Sequence, residues 1–323
     1  MPRIAVVGCG VWGRNHVRNH AELGSLAAIV ERTPATAAAL SAQHGVPARS
    51  FDEVLDDPAI DALVFALPPS LNTAFGRQAL EAGKHLFVEK PMALTTADGE
   101  SLCRLAAAQG RVLMVGHILH YHPAFRRLAE LVRAGRFGRL LSVASTRLDL
   151  GRIRREEDAM WALAPHDISM VLALTGSEPS GVAASGQCLT HPDIADVTDL
   201  RLGFASGATA TIRSSWLHPF KEQRLVVIGE AGMAVFDDRE PWERKLALYD
   251  HQFEDRGGVP FAVPAEPEWA PLSPAEPLRA ECRHFVDCVR TGASPISDGR
   301  EGLRVLSVLE RASASLDRAR LAA

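Results

Sequence analysis

Short apolar runs alternate with amphipathic helical patterns over about the first 120 residues. The apolar runs cover 4–7, 26–30, 62–66, 85–88 and 112–115, and helical patterns lie near 11–23, 34–44, 71–83 and 96–109. Strands that are apolar throughout are typical of a parallel sheet buried on both faces, with helices packed outside it. The pattern therefore predicts a doubly wound α/β domain of the Rossmann type over residues 1–120.

The pattern changes after Gly116. The predicted elements are then a helix over about 123–134, a strand over 140–147, a helix over about 165–174, successive strands between 180 and 249, and helices near 278–291 and 300–320. Turn signals separate the strands, which favours one antiparallel sheet. We therefore predict an α+β domain over residues 121–323, whose C-terminal helix can pack back on the first domain.

Composition argues against several classes of protein. The 323 residues are 47% hydrophobic and 23% charged with a net charge of −4, which is typical of a globular protein and does not favour nucleic acid as a partner. No apolar run approaches the ~20 residues of a membrane helix, and no signal peptide is evident, so no membrane partner is expected. The five cysteines lack CxxC spacing, which favours reduced thiols and a cytoplasmic protein.

A complete GxGxxG motif follows the first predicted strand and opens the first helix. It consists of Gly8, Gly10 and Gly13, with Val11 and Trp12 between the last two glycines. Here the first glycine permits a tight turn, the second lets the backbone approach a pyrophosphate, and the third lets the helix pack closely. Because the phosphates would lie at the helix N-terminus, we expect all five residues to bind a dinucleotide.

The end of the second predicted strand bears on the choice of cofactor. Glu31 is placed to accept hydrogen bonds from the adenosine ribose hydroxyls, which favours NAD and repels a 2′-phosphate. Arg32 follows it and would attract that phosphate, unless it is only a surface charge. We expect NAD, with NADP as the alternative.

Ionisable residues also follow the fourth predicted strand, as Glu89, Lys90 and Pro91. Ligands of open α/β sheets bind at the carboxyl ends of the strands, so Glu89 and Lys90 are expected in the cofactor crevice. Without further context, Lys90 would be a surface lysine at a strand end.

The combination of these motifs resembles the Gfo/Idh/MocA family of oxidoreductases over essentially the whole chain. The matching features are the glycine motif, the Pro68-Pro69 loop, residues 82–85 leading into Glu89-Lys90-Pro91, and the order of the two domains. The resemblance implies a second domain built on a large, open, mainly antiparallel sheet. It also implies that Lys90 contacts both substrate and nicotinamide, and that the loop with Pro68 and Asn72 lies beside the nicotinamide.

A lysine suits the chemistry of such an enzyme. Oxidation of an alcohol requires a base for the hydroxyl proton while hydride leaves the same carbon. A free lysine titrates near ~10.4, so that role at neutral pH requires a lowered pKa, although a charged lysine can still polarise the oxygen for reduction.

A histidine near the start of a predicted helix is the second candidate acid or base. The resemblance aligns His166 with the histidine of an Asp-x-x-x-His pattern that is frequent in the family, but Ala162 stands where the aspartate would be. Lys90 and His166 are therefore the predicted catalytic pair, and Asp167 is expected only to complement the helix terminus. A hydrogen-bonded core histidine is the alternative for His166.

The segment after the last parallel strand is rich in histidine. In an extended chain, His120 and His122 would share a face while His117 points away. No CxxC or HExxH motif accompanies them, so we predict no metal site. His120 and Tyr121 are candidate substrate contacts, and packing at the domain junction is the alternative for both.

Four arginines cluster upstream of His166, namely Arg147, Arg152, Arg154 and Arg155. Arginine binds phosphates bidentately, so Arg147, Arg152 and Arg154 are predicted substrate ligands that could hold a diphosphate. Solvated surface charge is the alternative.

Together these features are similar to the nucleotide-sugar branch of the family, which implies hydride transfer at C3 of a UDP-N-acetylhexosamine-type sugar. An inositol or free-sugar dehydrogenase is the alternative enzyme, and a non-catalytic NAD(P)-binding regulator is the alternative of another class. Because an open sheet has a face to cover, we expect a homo-oligomer, either a dimer or a tetramer.

Overall fold

The computed structural model describes residues 1–320, except for the side chains of 252–253 and 317–320. The chain divides into two compact units. Of the described residues, the first unit contains Met1–Tyr121 and Ala275–Leu306, and the second contains His122–Pro274 and 307–320. Residues 275–306 lie within the predicted 121–323 domain but pack in the first unit, in the way that the sequence allowed for a C-terminal helix. The Phe285 ring lies edge-on to that of Phe87, with centroids 5.6 Å apart.

The first segment of the chain alternates strands and helices. Its strands are β1 (Ile4–Val7), β2 (Leu26–Val30), β3 (Ala62–Phe65), β4 (His85–Glu89) and β5 (Leu113–Gly116). Its helices are α1 (Gly13–Glu22), α2 (Pro34–His44), α3 (Phe51–Asp56), α4 (Pro69–Glu81) and α5 (Thr96–Ala108), followed by a 3₁₀ turn over Ile118–Tyr121.

The five strands form one parallel sheet in the order β2-β1-β3-β4-β5. Every residue of β1, β3 and β5 is buried, as their continuous apolar sequences require. In this strand order the chain runs from β1 to β2 at one edge of the sheet. It then crosses back to β3 on the other side of β1 and continues through β4 to β5 at the opposite edge. The carboxyl ends of β1 and β3 therefore flank the switch point at which such sheets bind ligands.

The next segment is built mainly of strands. Its helices are α6 (Pro123–Arg133), α7 (Ala159–Leu163) and α8 (Pro165–Thr175), with a 3₁₀ turn over Trp242–Arg244. Its strands are β6 (Leu140–Leu150), β7 (Gly181–Cys188), β8 (Val197–Gly203), β9 (Thr209–Ser215), β10 (Leu217–Gly229), β11 (Gly232–Asp237), β12 (Leu246–Tyr249), β13 (Gln252–Asp255), β14 (Pro260–Val263) and β15 (Glu268–Trp269).

The last described elements are α9 (Pro277–Thr291), α10 (Gly299–Ser315) and β16 (Asp317–Arg320). The expected helix from 300 to 320 is therefore wrong at its end. The sequence beyond Ser315 has helix-forming residues, but its backbone instead pairs in parallel with β7.

The second unit contains a nine-stranded sheet in the order β15-β12-β11-β10-β6-β9-β8-β7-β16. Its pairs are antiparallel apart from β6 with β9 and β7 with β16, which confirms the mainly antiparallel sheet. Burial alternates along β9, where Ala210 and Ile212 are buried and Thr209 and Thr211 are exposed. One face of this sheet thus carries the core of the unit and the other is open. Within residues 1–320, no helix combines the length and the apolar character of a membrane span.

Candidate active site

The glycine loop after β1 has the shape that a dinucleotide requires. Gly8 has a φ of +85°, and a Cβ on it would lie 2.7 Å from the Ala66 carbonyl oxygen. A Cβ on Gly13 would lie 1.9 Å from the Gly8 carbonyl oxygen, so α1 can approach β1 only with glycine there. Gly10, by contrast, has no atom within 4 Å of its Cβ position. Two glycines therefore close the loop, while Gly10 leaves room for a pyrophosphate at the start of α1.

The residues between these glycines face outward. Val11 is 92% exposed and Trp12 is 43% exposed. Large apolar side chains with this exposure are available to a ligand that lies across the loop.

Glu31 connects the loop to the end of β2. One carboxylate oxygen accepts a hydrogen bond from the Cys9 amide and the other from the Thr33 amide, each at 2.8 Å. Burial would raise the pKa of Glu31, but these hydrogen bonds and the charge of Arg32 outweigh it and lower the pKa. Glu31 is therefore a carboxylate at neutral pH with lone pairs left for hydroxyl donors. Arg32 is exposed.

Glu89 joins the end of β4 to the glycine loop. Its Oε1 accepts a hydrogen bond from Trp12 Nε1 at 2.5 Å and lies 2.8 Å from Nε2 of the buried His16. Its Oε2 accepts from the Lys90 amide at 3.2 Å. The carboxylate rests on Gly116 of β5, where a Cβ would come within 2.8 Å of Oε2. Lys90, half-buried and followed by a cis bond to Pro91, is thereby held at the edge that carries the cofactor loop.

The loop after β3 is tied to the same turn. Pro68 caps α4, and Asn72 in the first turn of that helix is 1% exposed. Asn72 Nδ2 donates to the Pro91 carbonyl oxygen at 3.1 Å. Asn72 therefore positions the turn that carries Lys90.

His166 belongs to the second unit, at the start of α8, and is half-buried. The next residue, Asp167, is 1% exposed and accepts hydrogen bonds from Ser145 Oγ and from Arg147 Nε, both at 2.6 Å. These bonds fix the first turn of α8 on β6. Ala162 is 2% exposed in an apolar cluster with Trp216, so the surroundings of this alanine suit a small apolar side chain.

The histidine-rich segment departs from the extended conformation that the sequence suggested. His120 lies in a 3₁₀ turn, where residues three apart are neighbours, so His117 and His120 are on one side. Both imidazoles pair with Glu301 of α10, with His120 Nε2 at 3.3 Å from Oε1. His122 instead caps α6 and pairs with Asp238 at 3.2 Å.

Tyr121 points into the core of the first unit. It is 3% exposed, and its hydroxyl lies 3.1 Å from Ser297 Oγ. Of the two alternatives for this tyrosine, the placement favours packing over substrate contact.

The arginine cluster is already partly paired. Arg147 donates two hydrogen bonds to Asp167, and Arg154 pairs with Glu157. Arg152 and Arg155 are exposed. Two of the four arginines therefore already have carboxylate partners.

Sequence reasoning named the glycine loop, Asn72, Glu89 and Lys90 as site residues, but it missed His16 and the hydrogen bonds that connect these residues. The role of Asn72 as an anchor of the Pro91 turn had no sequence signal. His16 had one, because it lies one helical turn after Trp12 and so shares its face of α1.

A parallel sheet with this glycine loop, an acidic residue after β2 and a lysine after β4 defines a dinucleotide-dependent oxidoreductase. Comparison with known sequences agrees. Residues 2–117 match the oxidoreductase family with an NAD-binding Rossmann fold, and residues 125–235 match the GFO/IDH/MocA C-terminal domain. The chain therefore belongs to the Gfo/Idh/MocA family, and it is an NAD(P)-dependent oxidoreductase.

Individual relatives match along nearly the whole chain. UDP-N-acetylglucosamine 3-dehydrogenase of Acidithiobacillus ferrooxidans is 29% identical over 314 residues, covering 94% of each chain. A crystal structure of that enzyme superimposes with a TM-score of 0.86 at 27% identity, over 97% of each chain. Inositol 2-dehydrogenase of Rhizobium meliloti is 25% identical, over 97% of this chain and 96% of the relative.

Proposed function

We propose that this sugar oxidoreductase oxidises a secondary hydroxyl of a nucleotide sugar, at C3 of a UDP-N-acetylhexosamine-type substrate, with NAD as the acceptor. The observation that best supports a dehydrogenase is the hydrogen bond of 2.5 Å from Trp12 Nε1 to Glu89. It links the cofactor loop to the residue beside Lys90. The similarity to a UDP-N-acetylglucosamine 3-dehydrogenase over 94% of both chains supports the substrate class.

The proposal gives the residues distinct roles. The glycine loop and Glu31 would hold NAD, whose nicotinamide would supply the hydride acceptor. Lys90 removes the hydroxyl proton as the C–H bonding electrons depart, and its amine becomes an ammonium. His166 is the second proton-transferring group, since histidine exchanges protons readily near neutral pH. Asn72 and Glu89 position the turn that carries Lys90.

The pairing of the arginines favours a second candidate, a dehydrogenase of inositol or of a free sugar. Arg147 and Arg154 each have a carboxylate partner, so a diphosphate would have to compete with Asp167 and Glu157. A free polyol has no diphosphate to bind and does not require these arginines.

Substrate profiling separates the two candidates. The purified protein would be mixed with NAD or NADP and a panel of UDP-sugars, free sugars and inositols, and reduced nicotinamide followed by its near-ultraviolet absorbance. Reduction with UDP-N-acetylhexosamines alone is the expected result. Arg152→Ala should then raise KM for the UDP-sugar and leave kcat nearly unchanged, because Arg152 is exposed and would bind ground and transition states alike.

Activity with inositol and none with UDP-sugars would contradict the nucleotide-sugar proposal while keeping the dehydrogenase. No reduction with any member of the panel, despite measurable NAD binding, would contradict the catalytic proposal itself.

Three further proposals concern the surroundings of the enzyme. NAD is favoured over NADP because the charged Glu31 repels a 2′-phosphate. A homodimer or homotetramer would cover the open face of the nine-stranded sheet, which light scattering can test. The five cysteines are free thiols, which supports a cytoplasmic location.

A further inference from the structure

Helix α1 carries two histidines in its buried face, one turn beyond the glycine loop. His16 and His20 are four residues apart, so they lie one above the other on the helix. Cys282 of α9 faces them, and all three side chains are 0% exposed. One coordinating atom of each residue lies within 4.8 Å of those of the other two.

Each imidazole is oriented by a hydrogen bond through one ring nitrogen, which leaves the other nitrogen for coordination. Nε2 of His16 lies 2.8 Å from the Glu89 carboxylate, and its Nδ1 lies 3.6 Å from Cys282 Sγ. Nδ1 of His20 lies 2.9 Å from Ser25 Oγ. Nε2 of His20 is fully buried and has no hydrogen-bond partner among the described residues. Metal-bound histidines show this pattern, with the outer nitrogen held by a carboxylate or another oxygen.

We propose that His16 Nδ1, His20 Nε2 and Cys282 Sγ bind one divalent transition-metal ion of the zinc type. Two imidazoles and a thiolate are the ligands that zinc prefers, and they do not suit magnesium or calcium. With three protein ligands, a water molecule would complete the tetrahedral coordination. On binding, the Cys282 thiol forms its bond to the metal and releases its proton to solvent.

A buried carboxylate beside the cluster provides a second, independent indication of a cation. Glu281 is 0% exposed, and neither of its oxygens has a hydrogen-bond partner among the described residues. Buried oxygen atoms without a hydrogen-bond donor are costly, and a divalent cation in the neighbouring cluster would give them an electrostatic partner.

The proposed ion would have a structural role. It would join α1 to α9 and, through the His16 imidazole, fix the orientation of the Glu89 carboxylate at the end of β4. None of the three ligands is a residue assigned to substrate or to proton transfer, so the proposal stands or falls independently of the proposed substrate.

A second histidine cluster serves as an internal comparison. His117 and His120 meet Glu301, but there the carboxylate already pairs with both imidazoles, and the cluster contains no sulfur. Cobalt(II) distinguishes the two, since only a thiolate ligand gives a near-ultraviolet sulfur-to-cobalt charge-transfer band.

The experiment is a cobalt(II) titration of the full-length protein after treatment with a chelator, followed by displacement with zinc. We expect one cobalt per chain with a thiolate charge-transfer band, which zinc abolishes. Cys282→Ser should lose the band. Ser25→Ala removes the outer hydrogen bond of the His20 ring and the bond from Ser25 Oγ to the His20 carbonyl oxygen, and should weaken cobalt binding by about 10- to 100-fold.

Cys288→Ser is the matched control, because Cys288 lies on the same helix and contacts another histidine, His284, at 3.5 Å. It should keep the band, as should His117→Gln. A band that survives in Cys282→Ser, or a folded wild-type protein that binds no cobalt, would overturn the proposal. If Cys282→Ser does not fold, two other measurements replace it. His20→Gln should weaken cobalt binding, and zinc should raise the melting temperature of the wild-type protein.

Discussion

Asp167 and Arg147 form a buried, two-pronged ion pair, with Nε to Oδ2 at 2.6 Å and Nη2 to Oδ1 at 3.2 Å. The two side chains are 1% and 12% exposed, so solvent screens the pair weakly. The pair fixes the first turn of α8, and with it the backbone of His166, on strand β6.

Removing one partner of this pair should therefore destabilise the fold. Asp167→Ala leaves the Arg147 guanidinium buried without its counter-ion, and we expect the free energy of unfolding to fall by about 3–5 kcal/mol. The control is Asp199→Ala, whose partner Arg213 is 3.8 Å away in an exposed pair, with an expected change of about 0–1 kcal/mol. Urea unfolding followed by circular dichroism measures both, and equal losses would refute the distinction.

Lys90→Ala should lower turnover by ~10²-fold or more, because it removes the group that exchanges the hydroxyl proton. NAD affinity should persist, since the glycine loop and Glu89 are untouched. Lys84→Met is the matched control. Lys84 Nζ donates to the carbonyl oxygens of Asp57 and Ile60 at 2.6 and 2.9 Å, so its loss should reduce stability and leave kcat nearly unchanged. Near-normal turnover in Lys90→Ala would remove Lys90 from the mechanism.

Two glycines of the same loop should respond differently to alanine. Gly13→Ala places a Cβ 1.9 Å from the Gly8 carbonyl oxygen, so the backbone must move and the melting temperature should fall. Gly10→Ala meets no atom within 4 Å, so stability should be retained while the methyl group occupies space meant for the pyrophosphate. We expect at least about tenfold weaker NAD binding, or about 1.4 kcal/mol. Unchanged affinity in a folded Gly10→Ala would mean that the pyrophosphate does not approach there.

Acid should weaken the second unit through Asp238. Burial would raise the pKa of Asp238, but hydrogen bonds from His122 and Lys245 outweigh it and lower the pKa from 3.8 to about 2. A lowered carboxyl pKa stabilises the folded state above the unfolded pKa, and this contribution disappears as pH falls through the folded pKa. Asp238→Asn should therefore cost roughly 2 kcal/mol at neutral pH, and progressively less below about pH 4. Urea unfolding across that range measures it, and a constant difference at all pH values would argue against the assignment.

The sequence anticipated the first unit closely because its strands are continuous apolar runs. Each of the five predicted strands agrees with the structure to within one residue at either end. Short elements escaped notice: α3 (Phe51–Asp56) and α7 (Ala159–Leu163) are each too brief to show helical periodicity. Strand β16 depends on pairing with β7, a contact that no local pattern encodes.

The sequence predicted the parts of the site that depend on local residue patterns, and it did not predict the contacts between distant side chains. A glycine loop and a lysine after a strand are local signals, so the sequence predicted both the loop at Gly8 and Gly13 and the place of Lys90 after β4. The convergence of Trp12, His16 and Glu89 is set by side-chain packing between β4 and α1, which residue spacing does not reveal. His120 was misplaced because an extended chain was assumed where the residues form a 3₁₀ turn.

Both compact units are discontinuous in the chain, and this matters during synthesis on the ribosome. The first unit needs residues 275–306 to cover its sheet with α9, and the second needs β16 to complete its edge beside β7. Neither unit can finish folding while residues 275–320 are still inside the exit tunnel. The nascent chain therefore has two incomplete hydrophobic cores at the same time. In that state apolar surface is exposed, and chaperones can bind it.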